Sequence, residues 1–226
     1  MLKNLVAGLI KEHYIMTDFL PLFPLKLVVY PGESLNLHIF EPRYKQLIRE
    51  CEENNITFGI PGFINSEVMN FGTEMELLSV EKRYDSGEID IKTRGLDIFK
   101  IKEYYRITPN KLYAGADIER LANSNEKDLE LNESILNNLS ELYSVLNVKK
   151  TIPENGRAFS TYEIAHHVGF SLEQEYEFLC LPSEIQRQEF ILTHMTNLIP
   201  VVREMERLRK RAQLNGHFKN VIPPEL

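Results

Sequence analysis

Residues 20–44 read LPLFPLKLVVYPGESLNLHIFEPRY, and the hydrophobic period changes within them. Leu35, Leu37 and Ile39 alternate with Asn36 and His38, the period-two pattern of a half-buried strand. Pro42 then stands at a first helical position, where its missing N–H removes nothing a helix would use. Tyr44, Leu47, Ile48 and Cys51 follow at helical spacing, and Asn54-Asn55 ends the element. A strand running directly into a short helix sets the expectation of a mixed α+β chain.

The same alternation continues outward to about Leu121. Ile89 and Ile91 alternate with Asp90 and Lys92, and Asp85-Ser86-Gly87 lies between the runs 75–84 and 88–93 as a hairpin connection would. Gly95 separates the second run from residues 96–101, and residues 113–118 supply a further strand. Several short strands at this spacing predict a small barrel or sandwich interrupted by one helix.

Beyond Leu121 the period becomes helical. Residues 122–127 are polar and aperiodic, so a boundary is placed there, giving an extension at 1–15, a strand-rich part at 16–122, a helical part at 123–214 and a tail at 215–226. Ile135, Leu139, Leu142 and Leu146 keep one face, as a core stripe does. Ser160 with Glu163, Ser171 with Gln174 and Ser183 with Gln186 each read as a capping box opening a helix, with stops at Gly169 and Pro182. The last helix would run from about Glu184 toward Leu214. Pro200 lies inside it and predicts a kink or break, because proline removes one intrahelical bond and crowds the preceding turn.

Composition narrows the functional classes. The 226 residues carry 33 Asp+Glu against 26 Lys+Arg, a net charge of −7, and 43% are apolar, enough for a real core. The one dense basic cluster, Arg203, Arg207, Arg209, Lys210 and Arg211, sits at a helix end interleaved with Glu204 and Glu206. A solvated helix terminus explains it better than a phosphate-binding face. No apolar run approaches the roughly 20 residues that span a bilayer, and the run at 5–10 is broken by Lys11, Glu12 and His13 too early for a signal peptide. Cys51 and Cys180 lie on apolar helical positions without paired spacing, which fits a cytoplasmic protein.

The motifs of residues 20–44 also resemble those of the LON substrate-binding domain, the N-terminal region of ATP-dependent Lon protease. The resemblance rests on Pro21, Phe23-Pro24-Leu25, Pro31-Gly32, Leu37 and above all Phe40-Glu41-Pro42-Arg43-Tyr44. It continues in Gly72-Thr73, Asp85-Ser86-Gly87, Gly95 with Phe99, Tyr113-Ala114, Ile164-Ala165, Arg187 and the long terminal helix, covering about residues 20–211. Ile98 departs from it, standing where many members carry arginine. The resemblance implies a PUA-like β-barrel followed by a helical bundle, and in full-length Lon this region helps engage unfolded or tagged polypeptides. It further implies a freestanding domain of a kind found in bacteria, with unfolded or extended polypeptides as partners and a separate protease or chaperone beside them. It places Met16 as a natural start.

No reaction is called for by the residues. Gly-x-x-x-x-Gly-Lys-Ser/Thr, dinucleotide fingerprints and Gly-x-Ser-x-Gly elbows are absent, so no cofactor is expected. Glu41 and Arg43 could be read as a base and its orienting cation, but at a strand-to-helix junction they better serve the fold, the carboxylate accepting helix N-terminal N–H groups and the arginine fork tying neighbouring backbone carbonyls or acidic groups. His166-His167 point about 100° apart on a helix and cannot chelate one ion together. His13, His38, His194 and His217 are scattered, so no metal site is expected. The candidate polypeptide-binding residues are apolar ones near turns, Phe58, Ile60, Phe63, Ile64 and Phe71, with open strand edges as a second means of capture. The alternative function is RNA binding, which PUA-like barrels serve in other settings, and the acidic balance disfavours it.

Overall fold

The computed structural model describes residues 18–149 and 156–216, with side chains to 213. The expected extension at 1–15, the start at Met16 and all but the first two residues of the expected tail lie outside the described residues. The chain runs β1 (Asp18–Leu22), β2 (Ser34–Ile39), α1 (Pro42–Asn54), β3 (Phe58–Ile64), β4 (Glu67–Arg83), β5 (Ile89–Tyr105) and β6 (Ala114–Arg120). There follow α2 (Leu129–Leu146), three single 3₁₀ turns at Gly156–Ala158, Thr161–Glu163 and Ala165–His167, then α3 (Leu172–Leu179) and α4 (Glu184–Gly216).

The six strands form one sheet in the order β2-β5-β4-β3-β1-β6, and β6 also pairs back onto β5. The path β5-β4-β3-β1-β6 therefore returns to its origin, with β2 added along the first half of β5. All pairings are antiparallel except β1 with β3.

Two expectations change here. The separate short strands on either side of Gly95 are a single seventeen-residue strand, β5, paired with an equally long β4. Gly95 is needed inside that strand because a Cβ there would stand 2.4 Å from the Tyr30 carbonyl oxygen. Bending comes instead from register shifts at Thr73/Met75, Leu77/Ser79 and Val80/Lys82, which let one hairpin wrap the sheet. The second change is that α4 is continuous through Pro200, with no break.

The family-signature residues have structural duties. A Cβ on Gly72 would lie 2.5 Å from Ile60 O and Pro61 Cα, so only glycine lets β3 and β4 approach so closely. Thr73, fully buried, donates its hydroxyl to Val29 O and ties the segment before β2 to β4. Gly32 turns the chain into β2 at φ +83°, and Tyr44 anchors α1 by stacking on Phe23 with centroids 3.7 Å apart. Pro21 is buried, whereas Phe40 is 58% exposed and belongs to no core cluster.

Apolar side chains gather in three clusters. One lies between the sheet and α1 around Phe23, Leu47, Phe58 and Met75, and a small one joins Leu20, Leu22, Phe99 and Ile118. The largest lies among the helices and also takes in Val28, Tyr30 and Ile98 from the strand-rich part. Ile98 is thus a core residue, and the arginine common at that position would here put a charge among Ile and Phe side chains.

The connector between the two parts is held by a buried ion pair. Arg187 and Glu184, 0% and 1% exposed, are joined through Arg187 Nε at 3.0 Å and Nη2 at 2.9 Å from Glu184 Oε2. Arg187 Nη1 reaches Asn123 Oδ1 and Leu181 O, and its guanidinium lies 4.4 Å from the Tyr162 ring centre. Glu184 also accepts from Thr161 N at 2.6 Å. Each guanidinium nitrogen and both carboxylate oxygens have a partner, the condition under which a buried pair is tolerated.

The capping boxes are realised unevenly. Ser171 and Gln174 make the reciprocal pair of bonds that opens α3. Ser160 and Glu163 make theirs too, but around a 3₁₀ turn and not a longer helix. Ser183 accepts from Gln186 N, yet its hydroxyl turns toward the Gln186 side chain, so the return bond to the backbone is missing.

Candidate functional site

A cleft of about 830 Å³ opens where the β3–β4 hairpin, the first turn of α1 and the β5–β6 loop converge. Its hairpin wall depends on Asn65 and Ser66, both at positive φ (51° and 68°), the conformation of a two-residue turn matched to strand twist. That turn places Phe63 opposite Val68 as a cross-strand pair facing the cleft. Pro24 follows β1 on one side, and Tyr44, capped by the Arg43 guanidinium 4.4 Å above its ring, lines the base.

The opposite wall comes from residues 104–114. Ile107 is 70% exposed and Leu112 61%, with Tyr104 beside them at 40%. Such values are high for large apolar residues that share one concavity. The loop is pinned despite its exposure: Leu112 N donates to Gln46 Oε1 at 2.9 Å, and Lys111 Nζ reaches Glu50 Oε2 at 2.7 Å. The Tyr113 hydroxyl donates to the same carboxylate oxygen at 2.5 Å. Burial works against a charged Glu50, but its bonds from Lys111, Tyr113 and Gln46 outweigh that and hold its pKa below the ordinary value. The wall is therefore fixed on α1 from beneath and apolar toward the opening. Arg106 lies at the rim without an ion pair among the described residues, and Glu67 stands on the hairpin wall across from it.

The five residues singled out as a binding patch separate. Phe58, Ile60 and Ile64 are 0%, 2% and 7% exposed and fill the interior, because β3 is covered on both faces. They do not form an exposed patch. Phe63 lines the cleft, whereas Phe71 turns to the helices, its N–H donating to the Tyr176 hydroxyl at 3.1 Å. Sequence periodicity did not single out Tyr104, Arg106, Ile107 or Leu112. The signal available was two large aliphatic residues flanking Thr108-Pro109-Asn110, a turn-forming segment where apolar side chains have no local partner.

Glu41 and Arg43 pair with each other, Nε to Oε2 at 2.8 Å, and Glu41 makes no side-chain cap. Its carbonyl accepts the first helical N–H groups instead, from Tyr44 and Lys45. The expected carboxylate cap of α1 is therefore corrected, while the expected arginine fork on an acidic group forms, on Glu41 itself.

The adjacent histidines lie in the 3₁₀ turn Ala165–His167 and not on a longer helix. His166 bridges the two parts of the chain, Nδ1 at 2.7 Å from Glu175 Oε1 and Nε2 at 3.1 Å from Glu33 Oε2, with its ring 4.7 Å from Tyr30. Both acceptors are carboxylates, so both ring nitrogens must carry protons. The bonds to Glu175 and then Glu33 raise its pKa to about 9 against the opposing effect of burial. His38 meets Asp90 at 2.6 Å on the surface, and His194 meets Val168 O at 3.1 Å. His13 and His217 lie outside the described residues. Among the described residues no group of three or more His, Cys, Asp or Glu is placed to hold a metal, and no helix is long and apolar enough to cross a membrane.

Comparison with known proteins agrees with this architecture. The Lon N-terminal domain protein from Xanthomonas campestris superimposes with a TM-score of 0.59 at 20% identity, over 78% of this chain and 98% of that one. The N-terminal domain of Mycobacterium avium complex Lon protease gives 0.59 at 11% identity, over 79% and 98%. No curated protein sequence matches the chain. The sequence profile of the ATP-dependent protease La (LON) substrate-binding domain matches residues 19–197. The chain belongs to the LON substrate-binding domain family.

Proposed function

We propose that this chain is a non-catalytic polypeptide-binding module, an adaptor whose cleft receives short apolar stretches of unfolded or extended chains. The strand-rich part, about residues 16–122, is read as a PUA-like barrel, a reading supported by the closed pairing path from β5 round to β6. Residues 123–214 form the helical part braced against it. The carrying observation is the exposure of Ile107, Leu112 and Tyr104 in one concavity with Phe63 and Val68, on the scaffold of a substrate-binding family. Affinity from a few such side chains is modest: burying each contributes about 1.5–3 kcal/mol before ordering costs, so dissociation constants in the high micromolar range are expected. A separate protease or chaperone in the cytoplasm is the natural recipient of a chain held this loosely.

Titration of a permanently unfolded model protein, followed by fluorescence anisotropy, tests this. Binding by the native chain and at least tenfold weaker binding by an Ile107→Asp/Leu112→Asp variant of unchanged helicity are expected. Equal affinity of both would remove the cleft from consideration. A salt-sensitive complex with RNA, in place of a polypeptide complex, would favour the nucleic-acid alternative.

A further inference from the structure

The cleft does not end at Leu112. On the far side of that residue a second groove, of about 700 Å³, runs between α1 and residues 110–112 of the β5–β6 loop. Pro42, Lys45, Gln46 and Arg49 line its helical side at the i, i+3, i+4, i+7 spacing of a single helix face, so it follows the α1 axis for about 10 Å. Leu112 borders both hollows, and Pro42 of the groove directly precedes Arg43 and Tyr44 of the cleft. The two form one track, apolar at the cleft and polar along the helix.

Charge distinguishes the second half of that track. The chain carries a net charge of −7, yet every ionisable side chain lining this groove is basic: Lys45, Arg49 and Lys111. Lys111 is held by Glu50 beneath it. Lys45 and Arg49 are not neutralised. Neither makes an ion pair among the described residues, although Glu53 lies one turn beyond Arg49 and Lys45 Nζ extends beside Gly87 of the β4–β5 turn. Like charges four residues apart on a helix repel each other, and a concave wall concentrates their field. Two carboxylates would relieve both effects. Along the α1 axis Lys45 and Arg49 are about 6 Å apart, close to the roughly 7 Å between alternate side chains of an extended chain. Two free cations are few for a nucleic-acid backbone, which is gripped through many phosphates.

Resting on the reading of the cleft as a polypeptide site, we infer that its preferred ligand is an extended segment carrying two acidic residues, one residue apart, beside its apolar anchors. The anchors occupy the cleft, and the acidic pair lies past Leu112 against Lys45 and Arg49. Charge thereby selects among apolar segments that the cleft alone would accept alike.

Dye-labelled peptides of one apolar sequence test this by anisotropy with the full chain, flanked in turn by Ser-Gly-Ser, Glu-Gly-Glu or Lys-Gly-Lys, each placed before or after the anchors in separate peptides. In one placement Glu-Gly-Glu should bind about five- to tenfold tighter than Ser-Gly-Ser, the worth of two exposed ion pairs, and about 0.5 M salt should erase the advantage. Lys45→Glu/Arg49→Glu should turn the preference toward Lys-Gly-Lys, a gain that a misfolded variant would not show. Ile107→Asp/Leu112→Asp should weaken all the peptides. Equal binding of the acidic and neutral peptides in both placements, or an acidic preference that survives Lys45→Glu/Arg49→Glu, would overturn the proposal and leave the cleft standing, whereas no binding of any peptide would remove both. A short RNA that displaces the acidic peptide at lower concentration than the unlabelled peptide does would assign the groove to nucleic acid and overturn the proposal as well.

Discussion

His166 shows what a single side chain contributes when it spans two parts of a chain. Its folded pKa of about 9 stands above the ordinary 6.5, so its stabilisation is fully present below about pH 6.5 and is lost as pH rises through about 9. Because the side chain is about a third exposed, the contribution is discounted for solvent screening to about 1–2 kcal/mol. Urea unfolding at pH 6 and pH 9.5 should show the native chain losing that much more than His166→Ala, and equal losses would dismiss the bridge. The bridge was not legible in the sequence, since Glu33 and His166 are 133 positions apart. Nor was the 3₁₀ turn that holds His166, since three residues carry too little periodicity to mark one. Glu41 shows the opposite limit: its proximity to helix N–H groups suggested a cap, and the Arg43 fork two residues away took the carboxylate.

At the level of elements, reading succeeded where local chemistry decides and failed where a distant strand does. Pro42 starting α1 and Ser171 with Gln174 opening α3 depend on groups within a few residues, and both are as expected. Ser171→Ala should therefore cost about 1 kcal/mol of unfolding free energy, measurable by chemical denaturation. No measurable loss would mean that packing of Phe178 and Leu179, and not the cap, fixes α3. Gly95 was misread because the same residue that ends a strand also permits a close crossing, and only the Tyr30 carbonyl distinguishes the two. The cleft wall stayed hidden for a similar reason. Nothing close to Ile107 and Leu112 in sequence marks them, because Gln46, 66 positions from Leu112, is what holds that loop in place.

Across the whole molecule, the strand-rich and helical parts share a core. Val28, Tyr30 and Ile98 pack among α2, α3 and α4, and Arg187 closes the connector between them. Thermal unfolding should therefore be one transition, with tyrosine near-ultraviolet and helical far-ultraviolet signals coincident. Arg187→Ala should lower stability by about 3–5 kcal/mol in both signals together, because Glu184 would be left buried and uncompensated. Two separated transitions would show that the parts fold independently.

The returning path of strand pairing has a consequence for how the sheet meets other chains. β2 is an edge strand, hydrogen-bonded only to β5, and it is six residues long, with Asn36 and His38 on its exposed face. Sheets recruit one another into fibrils by templating on long, bare flanks. At six residues, with polar side chains alternating along it, β2 is a poor template of that kind.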